Sequence, residues 1–124
     1  MSSLKAGRPR PGDRGAVTAE TAVLVPAFGL LLVIGLWAVS VLVLQLRCVD
    51  AARTGARALA RGESDTAARA ATAEVAPDGA RIRIGRFGSL VSVDVEVSSR
   101  LPLAGDGPGG LDLGSRAVAA AEQP

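Results

Sequence analysis

The segment that decides the fold is Thr21–Leu46, TAVLVPAFGLLLVIGLWAVSVLVLQL, which carries no charged residue over 26 positions. As a helix rising about 1.5 Å per residue it is roughly 39 Å long, more than the roughly 30 Å hydrocarbon core of a bilayer. A helix of a soluble protein rarely runs this long without a polar face. The segment therefore predicts a helix that spans the bilayer or lies inside a helical bundle, and we interpret it as one membrane-spanning helix, in which Pro26 kinks or disturbs a single turn.

The helical pattern continues beyond the apolar run, in RCVDAARTGARALAR at positions 47–61. Two sets of residues recur at fourfold spacing and form neighbouring stripes on this helix, the small Ala52, Ala56 and Ala60 and the basic Arg53, Arg57 and Arg61. The alanine stripe predicts close helix packing. The arginine stripe indicates a solvated face, or a surface that docks on acidic partners or lipid headgroups. We expect an unbroken helix over Thr18–Arg61, weakened at Gly55 by roughly 1 kcal/mol relative to alanine.

The residues after Arg61 predict a small α+β region. Gly62 is a helix stop, Ser64 is a cap for a short helix over 65–75, and Pro77-Asp78-Gly79 is a turn. Apolar residues alternate over 81–86 and again over 90–98, which predicts an antiparallel hairpin connected at 87–89. Because a lone hairpin is marginal, the sheet needs further cover. The stretch 116–121 is a third strand or a frayed helix. The fold class predicted is therefore α+β, a long N-terminal transmembrane helix continuing into a stalk, followed by a short helix and a small antiparallel sheet.

The net charge of +2 is concentrated in the first 15 residues. Four basic residues stand there against Asp13, namely Lys5, Arg8, Arg10 and Arg14. The rest of the chain has no basic excess, so no nucleic-acid binding is expected from the folded region. The leader also lacks any apolar period, which predicts a disordered tail. Arginines on both sides of the apolar run make the positive-inside count a tie, which leaves the orientation open.

The composition argues against metal, cofactor and catalytic sites. There is no histidine and a single cysteine, so an intrachain disulfide and zinc or haem ligation are excluded. Cys48 is interpreted as a small apolar filler rather than a reactive thiol. Asp94 and Glu96 fall on the wet face of a predicted strand, and no nucleophile or base accompanies them. We therefore expect no enzyme and no cofactor.

The junction between the leader and the apolar run is Gly15-Ala16-Val17-Thr18-Ala19-Glu20. A basic leader ends in glycine, and a lone carboxylate follows five residues later. An unpaired carboxylate in a membrane helix costs roughly 2.5–3.5 kcal/mol, so Glu20 needs a partner, and near the helix start it also favours the positive end of the dipole. Two other interpretations stay open: an incidental glutamate at a helix start, and a cleaved secretory signal that ends at Ala38-Val39-Ser40.

This junction resembles the processing site of type IV prepilins. The wider chain resembles the TadE-like minor pilins or pseudopilins of tight-adherence (Flp-type) pilus systems. Four parts carry the likeness: Arg14 to Glu20, the apolar run with Pro26, the continuation at 47–61, and RAVAAAE at 116–122. The resemblance implies that a prepilin peptidase cuts between Gly15 and Ala16. Glu20 then becomes the fifth mature residue, and pairs with the N-terminal amine of an adjacent subunit.

The resemblance also implies an arrangement and a role. Residues 1–15 would be a cleaved leader, 16–61 a transmembrane and stalk helix, and 62–124 a small pilin-like extracytoplasmic region. The chain would cross the cell membrane once, with a cytoplasmic N-terminus, or lie in an extracellular filament. Its partners would be the prepilin peptidase, other pilin subunits and membrane lipids. It would act as a minor pilin or pseudopilin subunit in the assembly of a tight-adherence-type pilus or a related secretion filament. The rival is an uncleaved, single-pass membrane-anchored accessory or interaction protein.

Overall fold

The computed structural model describes residue 7 and residues 11–102, 105, 107 and 109–121. The predictions for positions 1–6 and 8–10 of the leader, and for Glu122, lie outside these residues. The chain divides into two compact units, Met1–Leu36 and Trp37–Pro124. Two helices are followed by three strands, which confirms the predicted α+β class.

The first helix, α1, is Pro11–Ala60. It begins seven residues before Thr18, whereas the sequence predicted an irregular leader through Gly15. Proline is favoured at the first position of a helix because the N–H it lacks has no helical partner there, and its fixed φ is already helical. At the other end Gly62 adopts φ 85°, and the Glu63 N–H donates to the Ala58 carbonyl at 3.1 Å. The predicted stop at Gly62 is thus confirmed.

In the first unit the apolar side chains of α1 point outward. Phe28 is 67% exposed and Leu32 is 65% exposed. Among the described residues α1 is the one helix long and apolar enough to cross a membrane, and its most apolar window has no buried residue. An apolar surface of this extent is stable in lipid rather than in water.

The second helix, α2, is Asp65–Val75, with Ser64 as its N-cap. The Ser64 Oγ accepts the Ala67 N–H at 3.2 Å, which satisfies one of the free donors at the helix start. The turn that follows contains Gly79 at φ 76°, a conformation that favours glycine. The bounds and the cap of α2 are therefore those predicted from the sequence.

The strands are β1 (Arg81–Phe87), β2 (Leu90–Arg100) and β3 (Gly110–Ala120), and they form one antiparallel sheet in that order. The β1–β2 hairpin confirms the prediction, with Gly88 at φ 58° in its turn. Of the stretch 116–121, residues 116–120 lie in strand β3, which resolves the alternative that the sequence left open. Pairing with β2 along its length, from Leu90↔Ala120 to Arg100↔Gly110, outweighs the helix propensity of the alanines.

The hydrophobic core lies in the second unit, where the sheet covers part of α1 and α2. The four alternating valines of β2 are 0–9% exposed, as the alternation predicted. The other buried apolar residues come from the helices, and they are Cys48, Ala51, Ala52, Ala56, Ala58, Leu59 and Ala68. Most of the helix side chains in this core are small, which lets the sheet approach α1 closely.

Candidate assembly site on the first helix

The junction residues Gly15, Ala16 and Glu20 all lie within α1 and are exposed. Ala16 and Glu20 are four positions apart, so they occupy the same helical face, one turn from each other. Among the described residues no salt bridge to Glu20 is formed within the chain. The Glu20 carboxylate therefore belongs to a residue one helical turn, roughly 6 Å along the axis, from the main-chain nitrogen of Ala16.

Glu20 is the one charged residue from Gly15 to Leu46. The hydroxyls on either side of it are satisfied inside the helix: Thr18 Oγ1 donates to the Arg14 carbonyl at 2.8 Å, and Thr21 Oγ1 donates to the Val17 carbonyl at 2.9 Å. Such back-bonding removes the cost of carrying a hydroxyl into an apolar environment. Glu20 is left as the group whose burial in lipid needs an external partner.

The helix dipole contributes less at Glu20 than the sequence suggested. The dipole's effect falls off within the first turn, and in the uncleaved chain α1 begins at Pro11, well before Glu20. Removal of residues 1–15 would bring Glu20 close to a new helix start. In the chain as the structure describes it, the dipole therefore contributes little to the Glu20 carboxylate.

Pro26 lies inside α1, which continues through it. Its ring nitrogen has no hydrogen to donate, so the carbonyl four residues earlier, that of Ala22, loses its helical partner. Glycines 29 and 35 of the same segment have open space around them. Small residues and a local break in the ladder leave room for a neighbouring helix on this part of α1.

The alanine stripe lies partly in the core of this chain. Ala52 is fully buried and Ala56 is 3% exposed, in the same cluster as the valines of β2, and Ala60 is half-buried at the end of α1. The sequence predicted close helix packing on this stripe. In the structure the stripe's first two alanines are used within the chain.

Three contacting residues of α1 were missed by the sequence analysis. Gly55 is buried against β2, where a Cβ would stand 3.2 Å from both methyl carbons of Val93. Trp37 Nε1 donates to the Arg100 carbonyl at 3.1 Å, and Gln45 Nε2 donates to the Gly114 carbonyl at 3.0 Å. The isolated amide of Gln45 within an apolar run is the signal that could have indicated such a contact.

Some charged residues of the second unit form ion pairs in which the arginine is exposed. Arg61 binds Glu63 at 2.7 Å, whereas Arg53 and Arg57 are exposed on the face of α1 away from the core. Arg116 binds Asp94 across β3 and β2 at 2.5 Å, and this hydrogen bond and the charge of Asp94 raise the pKa of Arg116. Asp94 is thus held in a cross-strand pair. Within the described ranges no cluster of three or more possible metal ligands occurs.

Cys48 is a free, buried cysteine at the sheet-facing side of α1. Desolvation raises the pKa of its thiol, because burial penalises the thiolate. A neutral thiol among alanines and valines acts as a small apolar side chain. This placement agrees with the interpretation of Cys48 as a filler.

Comparison with known proteins gives a match to a protein family over the first helix and a match to one relative over most of the chain. Residues 15–57 match the family described as TadE-like protein, a range that starts at Gly15 and includes Glu20, Pro26 and most of the buried part of α1. Over an alignment of 103 residues the chain is 35% identical to a Mycobacterium tuberculosis protein named Apoptosis inhibitor Rv3655c. The alignment covers 83% of this chain and 77% of that relative. No solved structure matches the chain significantly.

An exposed apolar helix that carries a small α+β region defines a membrane-anchored protein. The chain belongs to the TadE-like family, and it is a protein associated with tight-adherence (Tad) pili. Members of this family are in general not enzymes.

Proposed function

We propose that the chain is a minor pilin or pseudopilin subunit that assembles into a tight-adherence-type pilus or a related secretion filament. The observation that carries this proposal is Glu20, the single charged residue of the stretch Gly15–Leu46, which is exposed and lies five residues after Gly15. A carboxylate in that place opposes membrane insertion unless it gains a cationic partner. Its retention is best explained by a partner that forms on assembly.

The partner proposed is an amine released by proteolysis. A prepilin peptidase would cut between Gly15 and Ala16, remove residues 1–15, and leave a positive N-terminus at Ala16. The chain would then cross the cell membrane once, with its N-terminus on the cytoplasmic side and the region 62–124 outside. In this arrangement the amine of one subunit and the Glu20 of the next meet at the same depth, and their pairing fixes the register of the two helices.

A competing arrangement follows from the spacing of the same two residues. Since Glu20 lies one helical turn after Ala16, its carboxylate could also reach back to the main-chain amine of its own chain. That pair would neutralise both charges for insertion but would contribute nothing to contacts between subunits. Replacing Glu20 separates the two arrangements, because only the pairing between subunits makes assembly depend on it.

The test is co-purification of Glu20→Ala with tagged pilin subunits from membranes that contain the prepilin peptidase. We expect normal insertion and cleavage but loss of co-purifying subunits. The matched control is Glu74→Ala, which removes an exposed carboxylate from α2 and should leave assembly unchanged. Equal recovery of pilin subunits with Glu20→Ala and wild type would contradict the pairing between subunits and favour the pairing within one chain.

A further inference from the structure

The apolar run is longer than a bilayer needs, and the contacts of its last ten residues show which end is in excess. At a rise of about 1.5 Å per residue, Thr21–Leu46 exceeds a hydrocarbon core of roughly 30 Å by roughly 9 Å. The run therefore cannot lie wholly in lipid without tilting or thickening the membrane. Apolarity alone does not say which residues leave the bilayer.

The second unit starts at Trp37, and its sheet is attached to α1 from that residue onward. The indole of Trp37 donates to the Arg100 carbonyl at the end of β2, and the amide of Gln45 donates to the Gly114 carbonyl in β3. Between these two contacts Leu44 packs against the core. The segment Trp37–Leu46 is thus bound to the chain's own sheet along one face.

The ends of β2 and β3 nearest to these contacts cannot enter hydrocarbon. Arg100 and Asp112 are both exposed, and charged side chains on a lipid-facing surface are strongly disfavoured. β3 is also an edge strand, with β2 as its one strand partner in the part of the chain that the structure describes. Open sheet edges do not occur in the hydrocarbon region, because their backbone groups would have no hydrogen-bond partners.

We propose that the outer boundary of the bilayer lies at Trp37, so that residues 17–36 cross the hydrocarbon core and Trp37–Leu46 is the docking strip for the sheet. Twenty helical residues span about 30 Å, the thickness of the core. Tryptophan is the residue enriched at this level of a membrane, where its ring meets the headgroups and its N–H finds a polar partner. At the other boundary Glu20 lies inside the hydrocarbon core, within one turn of its surface, so its carboxylate still needs the cationic partner proposed above.

One observation favours the rival placement, in which lipid reaches Leu46. On the face of the strip away from the sheet, Leu42 and Leu46 are each 64% exposed. Immersing them would gain apolar burial, but it would carry Arg100, Asp112 and the edge of β3 into lipid with them. Because a charge or an unsatisfied backbone group opposes immersion more than a leucine favours it, the sheet decides the boundary.

The experiment uses the full chain in phospholipid vesicles and its single tryptophan. Fluorescence quenching by lipids brominated at known depths measures the distance of the indole from the bilayer centre. We expect Trp37 at about 16 Å from the centre, where shallow quenchers act best, and a tryptophan in the variant Trp37→Phe/Phe28→Trp at about 2 Å, where deep quenchers act best. Tilt shortens both distances but keeps their order.

The rival placement reverses that order. If 21–46 were centred in the bilayer, Trp37 would lie about 5 Å from the centre and position 28 about 8 Å. A wild-type Trp37 quenched most by deep bromines, and more deeply than the tryptophan at position 28, would overturn the proposed boundary. The wild-type measurement needs no substitution, so the result does not depend on how well the variant folds.

Discussion

Gly55 of α1 lies directly against Val93 of β2. A Cβ at position 55 would stand 3.2 Å from both methyl carbons of Val93 and would collide with the hydroxyl of Thr72 in α2. Thr72 is buried, and its hydroxyl donates to the Ala68 carbonyl at 2.7 Å, so it is not free to turn away without losing a hydrogen bond. Because Gly55 has a hydrogen where other residues have a Cβ, α1 can approach α2 and β2 closely at this position.

Replacement of Gly55 by alanine should destabilise the second unit. Alanine improves helix propensity by about 1 kcal/mol, but the added methyl overpacks a core with no space for it, which typically costs about 1–3 kcal/mol. We expect a net fall in the free energy of unfolding, measured by urea titration in detergent with Trp37 fluorescence as the probe. Gly35→Ala is the control, since open space surrounds that helical glycine. A Gly55→Ala protein as stable as Gly35→Ala would contradict this packing.

Local patterns predicted most of the second unit, because the physical causes of its elements are local. The Ser64 cap, the left-handed Gly62 and the alternating valines of β2 each act through neighbours within a few residues. The role of Gly55 was not predictable in this way. In the sequence it is only a weak helix former, and the reason for a glycine there is Val93, which is distant in the chain and near in space.

The candidate site was predictable for the same local reason, and its surroundings were not. Gly15 and Glu20 are recognised from their spacing at the start of an apolar run. The start of α1 at Pro11 and the sheet contacts of Trp37 and Gln45 were not predicted. Those two hydrogen bonds join residues separated by 63 and 69 positions, and no local pattern encodes such a pairing.

Cys48 should resist alkylation while the protein is folded. The thiol is buried, and burial raises its pKa, so both access and the thiolate fraction are reduced. We expect negligible labelling by a maleimide at neutral pH in detergent and full labelling in denaturant, measured by mass spectrometry. Rapid labelling without denaturant would show that the sheet does not cover this part of α1.

The same shift of the Cys48 pKa gives a pH dependence with a defined sign. A raised pKa means that the folded state keeps its proton to higher pH than the unfolded state does. The buried neutral thiol therefore makes its full contribution to the free energy of unfolding below the unfolded thiol's pKa of about 8.5. That contribution is lost as the pH rises above this value and through the pKa of the folded state. Cys48→Ala should remove this part of the alkaline loss, which urea midpoints at a series of pH values would measure. An unchanged alkaline slope would contradict it.

Loss of the Arg116–Asp94 pair should have little effect on stability. The Arg116 guanidinium donates two hydrogen bonds to the Asp94 carboxylate, yet the Arg116 side chain is 68% exposed, and water and salt screen a pair in that position. We expect the urea midpoint of Arg116→Gln to match that of wild type within error. A large loss would indicate that this pair, rather than the backbone pairing of the two strands, holds β3 to β2.

Two glycines of the N-terminal part of α1 give a matched test of the cleavage site. Gly12 and Gly15 both lie in α1, and both have open space around them. In cells that contain a prepilin peptidase, Gly15→Leu should abolish removal of the leader, whereas Gly12→Leu should leave it intact. The electrophoretic mobility of the membrane form shows whether the leader has been removed from each variant. Equal processing of the two variants would place the cut elsewhere.

The most direct measurement is the intact mass of the wild-type chain purified from such membranes, with sequencing of its first residues. The account predicts a protein that begins at Ala16 and lacks the fifteen residues before it. A purified chain that still carries the basic residues Arg8, Arg10 and Arg14 would contradict the account. The Glu20 carboxylate would then have no new amine to bind.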